Sequence, residues 1–266
     1  MSTPIKRCDL KHDETARRLL IDQLIHRGFG LISISDPELL RAVNAGLDRA
    51  EALEGFRFPP INVETIRYHE VERDAFRALY TIALDCLNAL KPDLARDVYT
   101  SQERGALTAR YPELFSASPH EPFSREHPFH STFFNLFNYD HGSLNGHQDR
   151  GLLTVICMRP ASPQLGGEAS ALWVEGADQT WRSADREILD ALSGARSEPA
   201  PLYALVLIGE AGEDRLRDIS PELFAAEHSV RVTPEGPYLE RSHYVRDPSS
   251  RERANRLSAA MILNRV

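Results

Sequence analysis

His147-Gln148-Asp149, running into the apolar stretch Gly151-Leu152-Leu153-Thr154-Val155-Ile156, decides how the chain is read. In an extended strand, residues i and i+2 project to one face. His147 and Asp149, at the head of a β segment, can therefore reach one ion together. His228 supplies a third donor, of the kind that a sandwich brings in from a distant strand. Two imidazoles and one carboxylate on one face leave coordination positions open. That set suits iron(II), with room for both a chelating co-substrate and dioxygen. His243 is the rival for the third position.

Around this stretch the texture is β. From about Phe129 onward short β-prone runs alternate with turn residues: Ser131 to Tyr139, Gly151 to Met158, Ala171 to Val174, Leu202 to Ile208, Ser229 to Thr233 and Leu257 to Leu263. Such runs with Gly- and Pro-bearing connections predict an antiparallel sandwich or jelly roll. One helix interrupts it, from Ala184 to Leu192, closed by Gly194.

The first hundred residues read as helices instead. Asp36-Pro37-Glu38 is an N-cap with proline at the first helical position, followed by Leu39, Leu40, Val43, Leu47 and Ala50 at helical spacing. A second segment runs from Val71 to Leu90 and stops before Pro92; a weaker one covers Glu14 to His26, halted at Gly28, before a short strand Leu31 to Ile34. The expected class is mainly β with N-terminal helices. Residues 1–128 form a helical layer and loop, and 129–266 a double-stranded β-helix (jelly roll) core carrying the metal site. Thr100 to His127 and Thr233 to Arg253 are long, turn-rich connections of the kind that act as lids.

Composition bounds the function. A length of 266 residues, 42% hydrophobic and 26% charged, is an ordinary globular mixture that fits a single domain. The formal charge of −8 argues against a nucleic-acid partner, whose backbone demands excess Lys and Arg. No apolar run approaches the roughly 20 residues that span a bilayer, and the first residues lack the apolar stretch of a signal peptide. Cys8, Cys86 and Cys157 are odd in number and far apart, which argues for free thiols and a cytoplasmic setting.

From Phe134 to Val266 the sequence resembles the isopenicillin N synthase-like branch of the iron(II)/2-oxoglutarate-dependent oxygenases. The resemblance rests on His147-Gln148-Asp149, on His228-Ser229-Val230-Arg231-Val232, on Arg256-Leu257-Ser258 as the later R-x-S, on Leu205-Val206-Leu207-Ile208-Gly209, and on Asn138-Tyr139 before H-x-D. It implies that His147, Asp149 and His228 hold iron(II). It also implies that Arg256 and Ser258 bind the distal carboxylate of 2-oxoglutarate, for which a guanidinium fork is suited, and that Tyr139 donates to that carboxylate or to the iron-bound end. The implied activity is a dioxygenase oxidising a small organic molecule, most simply by hydroxylation, as 2-oxoglutarate and O2 yield succinate.

The stretch between His228 and Arg256 is longer than the resemblance implies, and within it Arg251 and Arg253 are rivals for the carboxylate, though neither has a serine two residues on. Asp149 argues against a halogenating variant, which lacks that carboxylate. Two other functions stay open on the residues alone. One is an oxidase or cyclase of the same fold that uses no 2-oxoglutarate; the other is a non-catalytic jelly-roll protein that binds a metal or ligand.

Overall fold

A computed structural model describes residues 3–51, 70–92, 94, 133–138, 144–159, 172–194, 201–230 and 257–263. The chain opens with a two-residue strand Ile5–Lys6 (β1), a 3-10 turn Arg7–Lys11, helix Glu14–Arg27 (α1), strand Gly30–Ile34 (β2) and helices Pro37–Glu51 (α2) and Glu70–Leu90 (α3). Then come Phe133–Asn138 (β3), Leu144–His147 (β4), Leu153–Arg159 (β5), Leu172–Glu175 (β6), Trp181–Ser183 (β7) and helix Ala184–Gly194 (α4). Leu202–Ile208 (β8), helix Glu210–Leu216 (α5), His228–Val230 (β9) and Leu257–Leu263 (β10) complete the described elements.

Local chemistry explains the N-terminal boundaries. The Asp13 carboxylate accepts from the Thr15 amide (2.8 Å) and starts α1. Gly28 ends it at φ 77°, its amide returning to the Leu24 carbonyl. A side chain there would also run into the Glu175 carbonyl, so the position needs glycine for both conformation and space. Asp36 caps α2 by accepting from the amides of Glu38 (3.0 Å) and Leu39 (3.2 Å). Buried Gln23 ties α1 to its surroundings: it accepts from the Leu31 amide (2.8 Å) and donates to the Thr3 carbonyl (3.0 Å). Asp85, buried on α3, is paired with Arg7 (2.7 Å) and Lys11 (3.2 Å), which makes its burial tolerable and holds the 3-10 turn against the helix.

Among the described residues ten strands form two sheets, one of six in the order β1-β2-β8-β5-β10-β3 and one of four in the order β4-β9-β6-β7. Every pairing is antiparallel except β1 with β2. The six-stranded sheet is covered on both faces. Leu153, Val155, Cys157, Val206, Ala259 and Met261 pack with α1, α2 and α3 in one core. The alternate residues Leu31, Ile156, Met158, Leu205 and Leu207 pack with Leu172 and Val174 of the second sheet and with Ile188 of α4. Burial on both faces is why β5 and β8 read as continuous apolar runs rather than as alternating ones.

The structure adjusts several sequence expectations. The described part mixes helix and sheet more evenly than a mainly-β reading allows, and β2 is an integral strand of the larger sheet rather than an adjunct to a helical layer. Strands β1, β4 and β7 and helix α5 were not anticipated. The observed β8 and β10 have the expected bounds, and α3 begins one residue before the expected Val71. No helix among the described residues is long and apolar enough to cross a membrane.

The three cysteines are free: Cys8 is exposed, whereas Cys86 and Cys157 are fully buried in the helix-facing core. Burial drives both buried thiols far up from their ordinary range, so neither forms thiolate at neutral pH. A thiol reagent added to the folded protein at pH 8 should therefore label one cysteine rapidly and the other two only after denaturation. Mass spectrometry of the labelled chain reads this directly; three fast sites would contradict the packing.

Candidate metal centre

Strands β4 and β9 bring the two histidines together. His147 ends β4, His228 begins β9, and the two are direct Cα partners across the antiparallel pair. Directly opposed residues point to one face, and the rings lie 4.3 Å apart between centroids at an angle of 52°. Asp149 follows in the connection to β5. Its Oδ1 lies 3.7 Å from His147 Nε2 and its Oδ2 lies 3.5 Å from His228 Nε2. One ligand atom from each residue falls within 4.8 Å of the others. The His228 and Asp149 side chains are 7% and 11% exposed against 38% for His147, so His147 is the most accessible of the three.

This corrects the strand argument for H-x-D. His147 and Asp149 do not share a strand face, because the chain leaves the four-stranded sheet at His147 and enters the six-stranded sheet at Leu153. Asp149 sits on the crossing between them, and that crossing is held by α5. The Glu210 amide donates to the Asp149 carbonyl (2.7 Å), and the Gly212 amide to the Gly151 carbonyl (3.2 Å). The Gly209 amide donates to the Leu152 carbonyl (3.2 Å). A Cβ at Gly209 would meet the Gly151 carbonyl and lie 2.8 Å from that of Asp149, so a bare backbone is needed for this approach. The signal for α5 was present in the sequence: Gly209 followed by Glu210 and Glu213 places acidic side chains in a first turn.

Neighbouring groups orient the donors. The Thr154 hydroxyl, on β5 and 2% exposed, donates to Asp149 Oδ2. His228 Nδ1 lies 3.3 Å from the Ala226 carbonyl, which leaves Nε2 turned toward Asp149. Gln148, between the two sequence-adjacent donors, donates to the Ala225 carbonyl (2.9 Å) and pins the crossing to the segment before β9. Behind β4, Gly146 abuts the Glu227 carboxylate. Glu175 hydrogen-bonds through its amide to the Glu227 carbonyl, and its carboxyl is pushed up by burial first and by repulsion from Glu227 second.

The donor set suits a divalent metal. Two imidazole nitrogens and one carboxylate oxygen converge, and each of the buried donors is held by an outer hydrogen bond, as metal ligands commonly are. Thr154 and Gln148 were not singled out from the sequence, since nothing in a Thr five residues after an Asp marks a contact between them. We expect Thr154→Val to keep the fold and to weaken Mn(II) or Fe(II) binding about 10–100-fold, the usual cost of losing an outer-shell partner. Thr154→Ser should restore most of it. Calorimetric titration under nitrogen decides the point; a Val variant binding like the parent would leave Asp149 positioned by the backbone alone.

Ser258 is on β10, 1% exposed, paired with Phe137 and Met158 on the face shared by the two sheets. It is four residues along the strand from Ile262, the partner of Thr154, or about 13 Å. It is therefore not in contact with the His–Asp–His cluster. Tyr139, Arg256, His243, Arg251 and Arg253 lie outside the described residues, as do the connections 100–127 and 233–253. Among the described residues, a groove of about 420 Å³ lined by Glu38, Arg41, Asp74 and Arg77 runs between α2 and α3, on the other side of the six-stranded sheet from the cluster.

The sequence matches no family model and no curated protein. Solved structures do match in fold. A candidate oxygenase from Shewanella oneidensis is 16% identical, with 99% of this chain and 90% of that one covered at a TM-score of 0.50. A candidate 2OG-Fe(II) oxygenase family protein from Caulobacter crescentus is 15% identical over 99% and 86% at 0.51. A full-length Neurospora crassa protein in complex with alpha-KG and 5-formyluracil is 11% identical over 98% and 83% at 0.51. At these identities the likeness is one of fold, and the fold is that of the 2OG-Fe(II) oxygenases.

Proposed function

We propose that this chain, which has the fold of the 2-oxoglutarate/iron(II) oxygenases, is itself a non-haem iron(II) dioxygenase that uses 2-oxoglutarate to oxidise a small organic molecule. The observation that carries this reading is the convergence of His147, Asp149 and His228 where β4, β9 and the crossing to β5 meet. We read the two sheets as the halves of a jelly roll, with the cluster at its open end.

His147 Nε2, one Asp149 carboxylate oxygen and His228 Nε2 would hold the metal. Iron(II) with 2-oxoglutarate, when bound, would supply the oxidation of a C–H bond at the expense of O2, with succinate and carbon dioxide as co-products. The chain's own contribution is positional. Thr154 keeps the Asp149 carboxylate in one rotamer, and the Ala226 carbonyl keeps His228 in one tautomer. The apolar residues shared by the sheets, Ile156, Met158 and Leu207 among them, exclude water behind the cluster. In this reading Arg256 pairs with the distal carboxylate of the co-substrate, with Ser258 and Tyr139 as hydroxyl donors. The partner is a small molecule, in keeping with the net charge of −8.

Anaerobic titration with iron(II) and then 2-oxoglutarate tests it. A weak visible charge-transfer band requiring both components is the expected result, and Arg256→Ala should raise the 2-oxoglutarate Kd at least about tenfold while leaving iron binding alone. Iron binding with no band would favour an oxidase of the same fold. No iron binding would leave a ligand-binding protein.

A further inference from the structure

Asn135 breaks an otherwise apolar row. Leu31, Leu205, Ile156 and Ala260 stand side by side across β2, β8, β5 and β10, and the next residue in that row, on β3, is Asn135. Its sequence neighbours Phe134 and Leu136 face the helices, so its own side chain lies on the face shared with the second sheet, as that of Phe137 does. Asn135 is 9% exposed, and its Oδ1 is buried with no hydrogen-bond partner among the described residues. A buried amide oxygen with no donor has lost its water and gained nothing in return. Such a group calls for a donor beyond the described residues.

We propose that Asn135 is a substrate-reading residue, whose carbonyl oxygen accepts a hydrogen bond from an N–H or O–H of the organic substrate. The inference rests on the proposed oxygenase function. Position supports it: Asn135 lies two strands across and two residues along from Thr154, the hydroxyl that holds Asp149, or about 12 Å away. A small molecule with one end at the metal can reach it. Chemistry then chooses between the two ligands of the site. 2-Oxoglutarate at neutral pH offers acceptors only, so an acceptor on the protein is matched by the substrate, not by the co-substrate. Beside it Ile156, Ala260 and Phe137 are apolar, and Ser258 is the polar neighbour on the same face. The substrate class that fits is a largely apolar or aromatic small molecule carrying one amide, imide, amine or hydroxyl donor.

Asn135→Leu, of nearly the same shape, separates the possibilities. The variant should melt at the same temperature as the parent or up to about 3 °C higher, because an unpaired polar group has been removed. A fall of several degrees would overturn the proposal by showing a structural partner for the amide. Binding of 2-oxoglutarate to the Mn(II)-loaded variant should stay within twofold of the parent. A tenfold loss would overturn the substrate assignment, since the amide would then be turned to offer its NH2 to the co-substrate carboxylate. Finally, the Mn(II)- and 2-oxoglutarate-loaded protein is presented with small cyclic amides, imides and phenols beside their N- or O-methylated twins, with ligand-observed NMR as the readout. The parent should prefer the donor-bearing members and the variant should lose that preference at least tenfold; equal binding of the twins to the parent would overturn the proposal. Failure of the parent to bind Mn(II) or 2-oxoglutarate would instead refute the oxygenase function on which the inference rests, and the melting comparison would still report on the amide.

Discussion

His228→Ala is expected to abolish divalent metal binding at micromolar metal while leaving the fold intact. The residue begins β9, its side chain is 7% exposed, and its Nε2 faces the Asp149 carboxylate at 3.5 Å. Alanine removes one of three donors and leaves the others on two different segments, the β4 end and the crossing. Losing an outer-shell partner alone costs about 10–100-fold in affinity, so losing a donor should cost more than about 100-fold. His147→Ala should behave the same way, although that ring is 38% exposed, because each donor closes the same triangle. The measurement is calorimetric titration with Mn(II) and Fe(II) without oxygen, with circular dichroism as the control for folding. Parental affinity in either variant would remove that histidine from the ligand set.

The largest effect on stability is expected at Phe134, one residue before the amide assigned to the substrate. Phe134 is fully buried on β3 and meets Phe76 of α3 edge to face, with centroids 6.0 Å apart and planes at 87°. Phe76 in turn stacks on Tyr80 at 6.1 Å, so one aromatic series joins an edge strand of the six-stranded sheet to α3, the longest of the described helices. Phe134→Ala deletes a ring from a core that cannot collapse around the gap. The cost should be about 3–5 kcal/mol, a fall in Tm of about 10 °C for a chain of this size. Chemical denaturation gives the free energy and calorimetry the Tm; a loss below about 1 kcal/mol would mean that β3 is not anchored to α3. Adjacent positions thus have opposite expected signs, since Asn135→Leu should not destabilise. Strand alternation places the two side chains in different cores.

Much of the local structure was legible from residue order because its causes are local. Asp36-Pro37 marks the start of α2 through a cap and a fixed φ, and Gly28 ends α1 through a left-handed residue. The apolar runs of β8 and β10 stand out because both faces of their sheet are covered. The candidate donor types were legible as well, because His147-Gln148-Asp149 and the distal His228 stand in order along the chain.

The fold-level facts were not local. His147-Gln148-Asp149 has the spacing of a shared strand face, and nothing in those three residues says that the chain changes sheets there. Only the pairing of β4 with β9, and of β5 with β8 and β10, places Asp149 on a crossing. Helix α5 has seven residues, too short to be stable alone, and exists because its amides are taken up by the carbonyls of that crossing. The Thr154 contact and the isolation of the Asn135 oxygen depend on which strands lie side by side. The sequence by itself determined the capped helices, the apolar strands and the chemical identity of the donors, since these follow from forces acting within a few residues. Tertiary structure alone decided where the donors meet, what holds them and which polar group is left for a ligand, because those depend on strands far apart in the chain packing onto one another.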